Sequence, residues 1–202
     1  MPVCVSCWGR VETDRLRLRH WSPADREPFS AMNADPEVMQ HFPSPLTRAE
    51  SDALADRISD HLATHDWGLW ALEIPGVADF GGFVGLATVS FEAEFTPAIE
   101  VGWRLSRPMW GSGYATEAAV AVLACGFTAL DLSEIVSFAT LANSRSQAVM
   151  KRIGLSRRME FDHPRLPPGN EHRRHVLYGI EKVQWLTVQS SLSDSPPGAD
   201  WR

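Results

Sequence analysis

No stretch of this sequence is apolar for long enough to cross a bilayer. The opening residues MPVCVSCWGR lack the basic start and apolar run of a secretion signal. The expectation is a cytoplasmic protein without a membrane partner. Positive charge is also short: 19 Lys and Arg stand against 25 Asp and Glu, a formal net charge of −6. The basic stripe that neutralises nucleic-acid phosphates is therefore missing. An acidic surface favours solubility and is compatible with a cationic substrate. Cysteine is scarce, at positions 4, 7 and 125. The lone CVSC of Cys4 and Cys7 has no second pair and no nearby histidine, which argues against zinc, and it lacks the strand–helix setting of a redox dithiol. Cys125, among Ala121, Val122, Leu123 and Phe127, reads as core. His163, His172 and His175 do not follow helical metal spacing, so no metal is expected. Also missing are a GxGxxG fingerprint, a Walker loop closed by Lys-Ser/Thr, a Ser or Cys nucleophile elbow and any internal repeat.

What is present suits one ordinary soluble domain: 202 residues, 44% apolar and 22% charged. RLRLRHW (15–21) alternates as a strand does. Ser22 and Pro23 mark a helix start in SPADREPFSAMN. Thr47 and Glu50 form a capping box ahead of a helix with Leu54, Ile58 and Leu62 on one face. Strand-like runs follow at 67–74, 81–91 and 98–105, joined by short connections that favour antiparallel pairing. Residues 115–130 form a helix apolar nearly all round, which is a helix buried on a sheet. A strand is expected at 134–141, a short helix at 143–154 capped by Asn143 and stopped at Gly154, and a late strand within 175–185. The Ser/Pro/Gly-rich tail is expected to be disordered.

Strand 98–105, helix 115–130 and strand 134–141 make a right-handed crossover, so the two strands are parallel. Helices follow both, and their N-termini face the sheet edge that ligands favour. Such termini carry unpaired N–H groups and about half a positive charge. Gly111 and Gly113 in PMWGSGYATEA permit close approach of an anion, so this loop reads as a pyrophosphate cradle. Spacing alone leaves a plain glycine turn as an equal alternative.

In order along the chain, TDRLRLRHWSPAD, IEVGWRL, WGSGYATEA, NSRSQAVMKRIGL and HVLYGI resemble the conserved segments of the GNAT superfamily of acyl-CoA N-acyltransferases, in particular its RimJ/RimL-like branch. The resemblance covers about residues 12–185, leaving 1–11 as an N-terminal extension and 186–202 as the tail. It implies an α/β (α+β) GNAT fold: a mixed seven-stranded central sheet, splayed between the fourth and fifth strands and flanked by about four helices. It implies acetyl-CoA as acyl donor. The diphosphate would lie on Trp110, Gly111, Ser112, Gly113, Tyr114 and Ala115. The pantetheine arm would run along Trp103, Arg104 and Leu105, and Asn143 would hold its far end. Lys151 would meet a CoA phosphate or stand as a solvated charge. Many members carry Gln or Arg where this chain has Trp110, so the charge there must come from the backbone or another residue.

Moving an acyl group from a thioester to an amine needs the neutral amine, although an alkyl amine titrates near pH 10. With no nucleophile elbow, direct attack is expected, assisted by a main-chain N–H of Trp103 or Arg104 as oxyanion donor. Glu100, in an otherwise apolar strand at a place where some members carry a catalytic glutamate, is the expected base; pairing with an arginine or simple amine binding is the alternative. Ser146, in the first turn of the Asn143 helix, is the expected proton donor to the thiolate; Tyr178 is its rival, and Tyr114 the only other tyrosine. His41 and Phe42 would wall the acceptor pocket. Trp67 and Trp70 face that cleft or the core. The insert 162–175 would close over substrate, bind an anion, meet a second subunit or remain a solvated loop, and Arg173 or Arg174 would serve a larger acyl group such as succinyl. The partners implied are acyl-CoA, an amine and, as in many relatives, a second copy in a homodimer. A CoA-binding module without catalysis is the competing reading.

Overall fold

In the computed structural model, which describes residues 10–193, one mixed sheet of eight strands runs in the order β1-β2-β3-β4-β5-β6-β8-β7. The strands are β1 (Arg10–Glu12), β2 (Arg17–Arg19), β3 (Leu69–Ile74), β4 (Ala78–Thr88), β5 (Ile99–Leu105), β6 (Glu134–Thr140), β7 (Ser156–Asp162) and β8 (Arg174–Glu181). All neighbours are antiparallel except β5 and β6, which are parallel as the crossover requires.

Eight strands replace the expected seven. β1 begins inside the segment read as an N-terminal extension, and β7 has no counterpart in the sequence reading. The β7 sequence SRRMEFD is charged and mostly exposed, because it is the outer strand and only one flank pairs. The expected four helices become five among the described residues: α1 (Arg26–Ala34), α2 (Arg48–His65), α3 (Tyr114–Thr128), α4 (Ser144–Arg152) and α5 (Lys182–Ser193). Helix α5 corrects the disordered tail over 186–193; residues 194–202 and the CVSC motif lie outside the described residues. Trp185 anchors α5, buried and stacked on Phe127 with ring centroids 5.9 Å apart.

Local chemistry explains the helix starts. Thr47 Oγ1 accepts from the Glu50 N–H at 3.3 Å, and Glu50 accepts the Thr47 N–H in return at 2.8 Å. The buried stripe of α2 is Ser51, Ala55, Ile58 and Leu62, with Leu54 partly buried at its side, so the expected apolar face is the one that packs on the core. Ser22 opens a short 3₁₀ turn, Pro23–Asp25, before α1. Burial pushes the Asp25 carboxyl up, but the Arg19 fork, at 2.8 Å to each oxygen, and the Ser22 N–H outweigh it and hold it below the usual carboxylate range.

The helices cover opposite faces. Phe83 of β4 meets Phe29 of α1 at 6.1 Å, which places α1 on the face carrying Phe83 and its cross-strand partner Arg104. Gly126 of α3 packs against Leu86 and Ile135, on the other face. Trp70 is fully buried in the main core, which settles its side of the sheet. A second apolar cluster, built on Val89, Val136, Phe161 and Leu177, lies away from it.

Gly85 shows how closely β3 and β4 approach. A Cβ there would stand 1.9 Å from the carbonyl oxygen of Gly68, which itself accepts the Leu86 N–H at 3.0 Å. Main chain cannot yield as a side-chain tip can. Gly85→Ala should cost about 3 kcal/mol and lower Tm by roughly 6–12 °C in thermal unfolding.

Candidate functional site

β5 and β6 share one registered pair, Glu100 with Val136. Past it the strands diverge and leave one flank of β5 unpaired. The phase of the ladder decides which groups face the gap. The Ser106 N–H donates to Gly81 O at 3.0 Å, so 106, 104 and 102 turn their main-chain groups toward β4. Val101, Trp103 and Leu105 turn theirs into the gap. Leu105 O is met there by the Trp110 indole N–H at 2.8 Å. Trp103, rather than Arg104, therefore offers its main-chain donor and acceptor.

The loop after β5 is the one whose sequence reads as an anion cradle. Gly111 and Gly113 have φ of +77° and +80°, and a Cβ on Gly111 would meet nothing within 4 Å. Gly113 caps α3 without a side chain, so the first-turn N–H groups lie uncovered. Arg15 fastens this loop, donating to Ser112 O at 3.0 Å and to Glu117 at 2.6 Å. The guanidinium carbons of Arg107 and Arg145 lie 5.0 and 4.7 Å from the Trp110 ring centroid. These two residues bring to Trp110 the charge its own side chain lacks.

A cavity of about 530 Å³ joins these parts. Trp103, Arg104, Leu105, Trp110, Gly111, Gly113, Tyr114, Ala115, Asn143, Ser146, His41 and Phe42 all line it. Ser112 and Glu100 do not. Ser112 turns outward, held through its carbonyl. Glu100 stands at the one registered pair, where the gap begins. Arg152, not Lys151, lines the wall from α4. Tyr178 is buried in the main core, away from the cavity.

Asn143 Oδ1 accepts the Ser146 N–H at 3.0 Å, which fixes the start of α4 and puts Ser146 in its first turn. Burial alone pushes the Glu100 carboxyl up to about 7. Among the described residues it meets no cation and no hydrogen-bond donor. Burial also draws Arg104 down to about 10, which leaves it charged at neutral pH. His41 is lowered by burial first, then by His172 and Arg145. His172 belongs to the long β7–β8 connection, none of whose residues lines the cavity. On the same connection, burial, His175 and Arg165 bring His163 down to about 4. Among the described residues no three His, Cys, Asp or Glu side chains gather in a metal-binding group, and no helix is long and apolar enough to cross a membrane.

Arg15, Asn33, Arg107 and Arg145 have no role in the sequence analysis, although Arg15 lies within TDRLRLRHWSPAD, Arg107 directly precedes PMWGSGYATEA and Arg145 lies within NSRS.

The arrangement is shared with known proteins. Residues 15–156 match the family described as "Acetyltransferase (GNAT) domain". The chain is 31% identical over 225 residues to "FsC-acetyl coenzyme A-N(2)-transacetylase" of Aspergillus fumigatus, covering 98% of this chain and 89% of that one. It is 29% identical to "Uncharacterized N-acetyltransferase YnaD" of Bacillus subtilis, covering 87% of this chain and 98% of the relative. The fold superposes on the crystal structure of a GNAT-family acetyltransferase from Bacillus anthracis with a TM-score of 0.72 at 23% identity, over 86% of this chain and 99% of that one. This chain belongs to the GNAT family and is an acetyltransferase.

Proposed function

We propose that the chain transfers an acetyl group from acetyl-CoA directly to a primary amine, as a RimJ/RimL-like N-acetyltransferase. One observation carries this reading: the uncovered α3 N-terminus and the unpaired flank of β5 open into the same cavity. An anion held at the first and a chain running along the second fit the coenzyme's diphosphate and its pantetheine arm. The name of the Aspergillus relative specifies acetyl coenzyme A and a nitrogen, and both are carried to this chain by likeness.

In this reading the amides of Gly111 to Ala115 hold the diphosphate, with Arg107, Arg145 and Arg152 adding charge. The Trp103 N–H stands where oxyanion charge develops, a contribution of about 3 kcal/mol. Asn143 keeps its Nδ2 for the arm. Glu100 takes the amine proton through water in the open space over Gly102, and Ser146 returns a proton to the departing thiolate. Positioning supplies up to ~7–11 kcal/mol.

The expected result is release of free thiol from acetyl-CoA, with a mass gain of one acetyl on the amine, across a panel of small amines and peptides. CoA binding without turnover on any amine or acyl donor would favour the binding-module reading instead.

A further inference from the structure

β5 presents Glu100, Gly102 and Arg104 on one face, since alternate residues of a strand share a face. A Cβ at Gly102 would meet nothing within 4 Å, so the space between the carboxylate and the guanidinium is open. Arg104 has unusual company for a buried cation. Its Nη1 donates to the neutral Asn33 Oδ1 at 2.6 Å. Its guanidinium lies 4.1 Å from the Phe42 ring centroid and 5.5 Å from that of Phe83. Its Nε is buried without an acceptor. Among the described residues no carboxylate lies within ion-pair distance of it, whereas Arg15, Arg17, Arg19, Arg26 and Arg48 each meet one.

A guanidinium whose Nε is buried without an acceptor is costly unless an anion arrives. Arg104 and Phe42 also line a second cavity, of about 450 Å³, between the 39–46 loop and α2. Arg57 lines that cavity too, and its one carboxylate, Glu50, is occupied by Thr47. Arg104 shares the face of Asn33 and Phe83, whereas the cradle for the coenzyme's phosphates is built on the α3 N-terminus with Arg107 and Arg145. With Arg107 and Arg145 beside that cradle, Arg104, which lines the same cavity from the other face, is left for a different anion.

We infer that Arg104 is the seat for an anionic group of the acceptor, so that the substrate is an amine bearing a carboxylate, its nitrogen lodged toward Glu100 and its acid on the Nε edge of Arg104. This rests on the acetyl-transfer reading and names the acceptor class. The Cα atoms of Glu100 and Arg104 are about 13 Å apart along the strand, which favours an acid several bonds from the amine. The planar fork suits a carboxylate with two parallel N–H bonds.

The test compares 6-aminohexanoate with its neutral twin 6-aminohexanamide, with acetyl-CoA as donor, in the wild type and in Arg104→Gln and Arg104→Lys. The wild type should favour the acid by about tenfold or more in kcat/KM, through KM. Arg104→Gln should collapse that ratio toward one, and Arg104→Lys should restore it in part. Equal use of acid and amide by the wild type, or an equal loss on both in Arg104→Gln, would leave Arg104 as a structural clamp on Phe42 and Asn33 and overturn the inference. The wild-type comparison decides even if a variant fails to fold. A preference for succinyl-CoA over acetyl-CoA that vanishes in Arg104→Gln assigns the anion to the donor and also overturns it. If no amine turns over, the acetyl-transfer reading fails separately. Calorimetric titration of the CoA-loaded protein then decides the inference: uptake of the acid but not the amide sustains it, and uptake of neither, or of both equally, ends it.

Discussion

Glu100→Gln should remove most of the turnover and, at alkaline pH, make the protein more stable. The two effects share one cause. The carboxyl, at the point where β5 and β6 part, has no cation and no donor among the described residues to favour its charged form, so burial lifts it to about 7. As a base it is matched to neutral pH, and its loss should cost about 10²–10³-fold in kcat. In the wild type, kcat/KM should climb as pH rises through about 7 and then level off, because only the ionised carboxylate accepts the proton. Stability runs the other way. The folded protein holds this proton up to about pH 7, whereas the unfolded chain releases it near 4.5. Native stability from this group is intact below about 4.5, declines as pH rises through that window, and is fully lost above about 7. After discounting for partial solvent access, the loss is on the order of 2–3 kcal/mol. Glutamine mimics the protonated form without titrating. Melting curves at pH 5 and pH 8 should show a gain of roughly 4–10 °C at pH 8 and little at pH 5. A variant that keeps full turnover would remove Glu100 from the chemistry.

Gly113→Asp should weaken CoA binding by about 100-fold while leaving the fold intact. The position has φ of +80°, a conformation that Asn and Asp tolerate better than other side chains. The substitution sets a carboxylate at the mouth of α3, so that its charge stands against that of the diphosphate. A hundredfold change in Kd is about 2.7 kcal/mol. Gly113→Asn should cost less, since it adds a side chain of the same size without the charge. Calorimetry with CoA and with pantetheine separates the outcomes: pantetheine, which lacks the diphosphate, should bind all three proteins alike. Equal CoA affinity in Gly113→Asp and the wild type would place the diphosphate elsewhere.

The turn at Gly111 and Gly113 and the helix after it were legible because their chemistry is local: both glycines take positive φ, and the Thr47–Glu50 box and the Asn143 cap are equally short in range. Where pairing or tertiary contact decides, the sequence was silent. SRRMEFD carries no apolar alternation because an outer strand needs little. The three residues of β1 are too few for a period. Helix α5 hides in a Ser-rich tail and is recruited by Trp185 docking on Phe127. At the site, composition marked Glu100 as out of place in an apolar strand, but its desolvation follows from the depth of the gap. Arg104 was assigned to the coenzyme through its backbone. Only the ladder phase shows that its main chain turns into β4, while its guanidinium enters the face beneath Phe42.

Thr13 and Arg15, in the turn between the two outermost strands, both close on Glu117 one turn into α3, at 2.5 and 2.6 Å. The glycine loop proposed to hold the coenzyme is thus moored to a hairpin at one margin of the sheet, about a hundred positions earlier in the chain. Damage to that hairpin need not melt the core to be felt. It would slacken the mooring, and the grip on the coenzyme would loosen before the domain itself came apart.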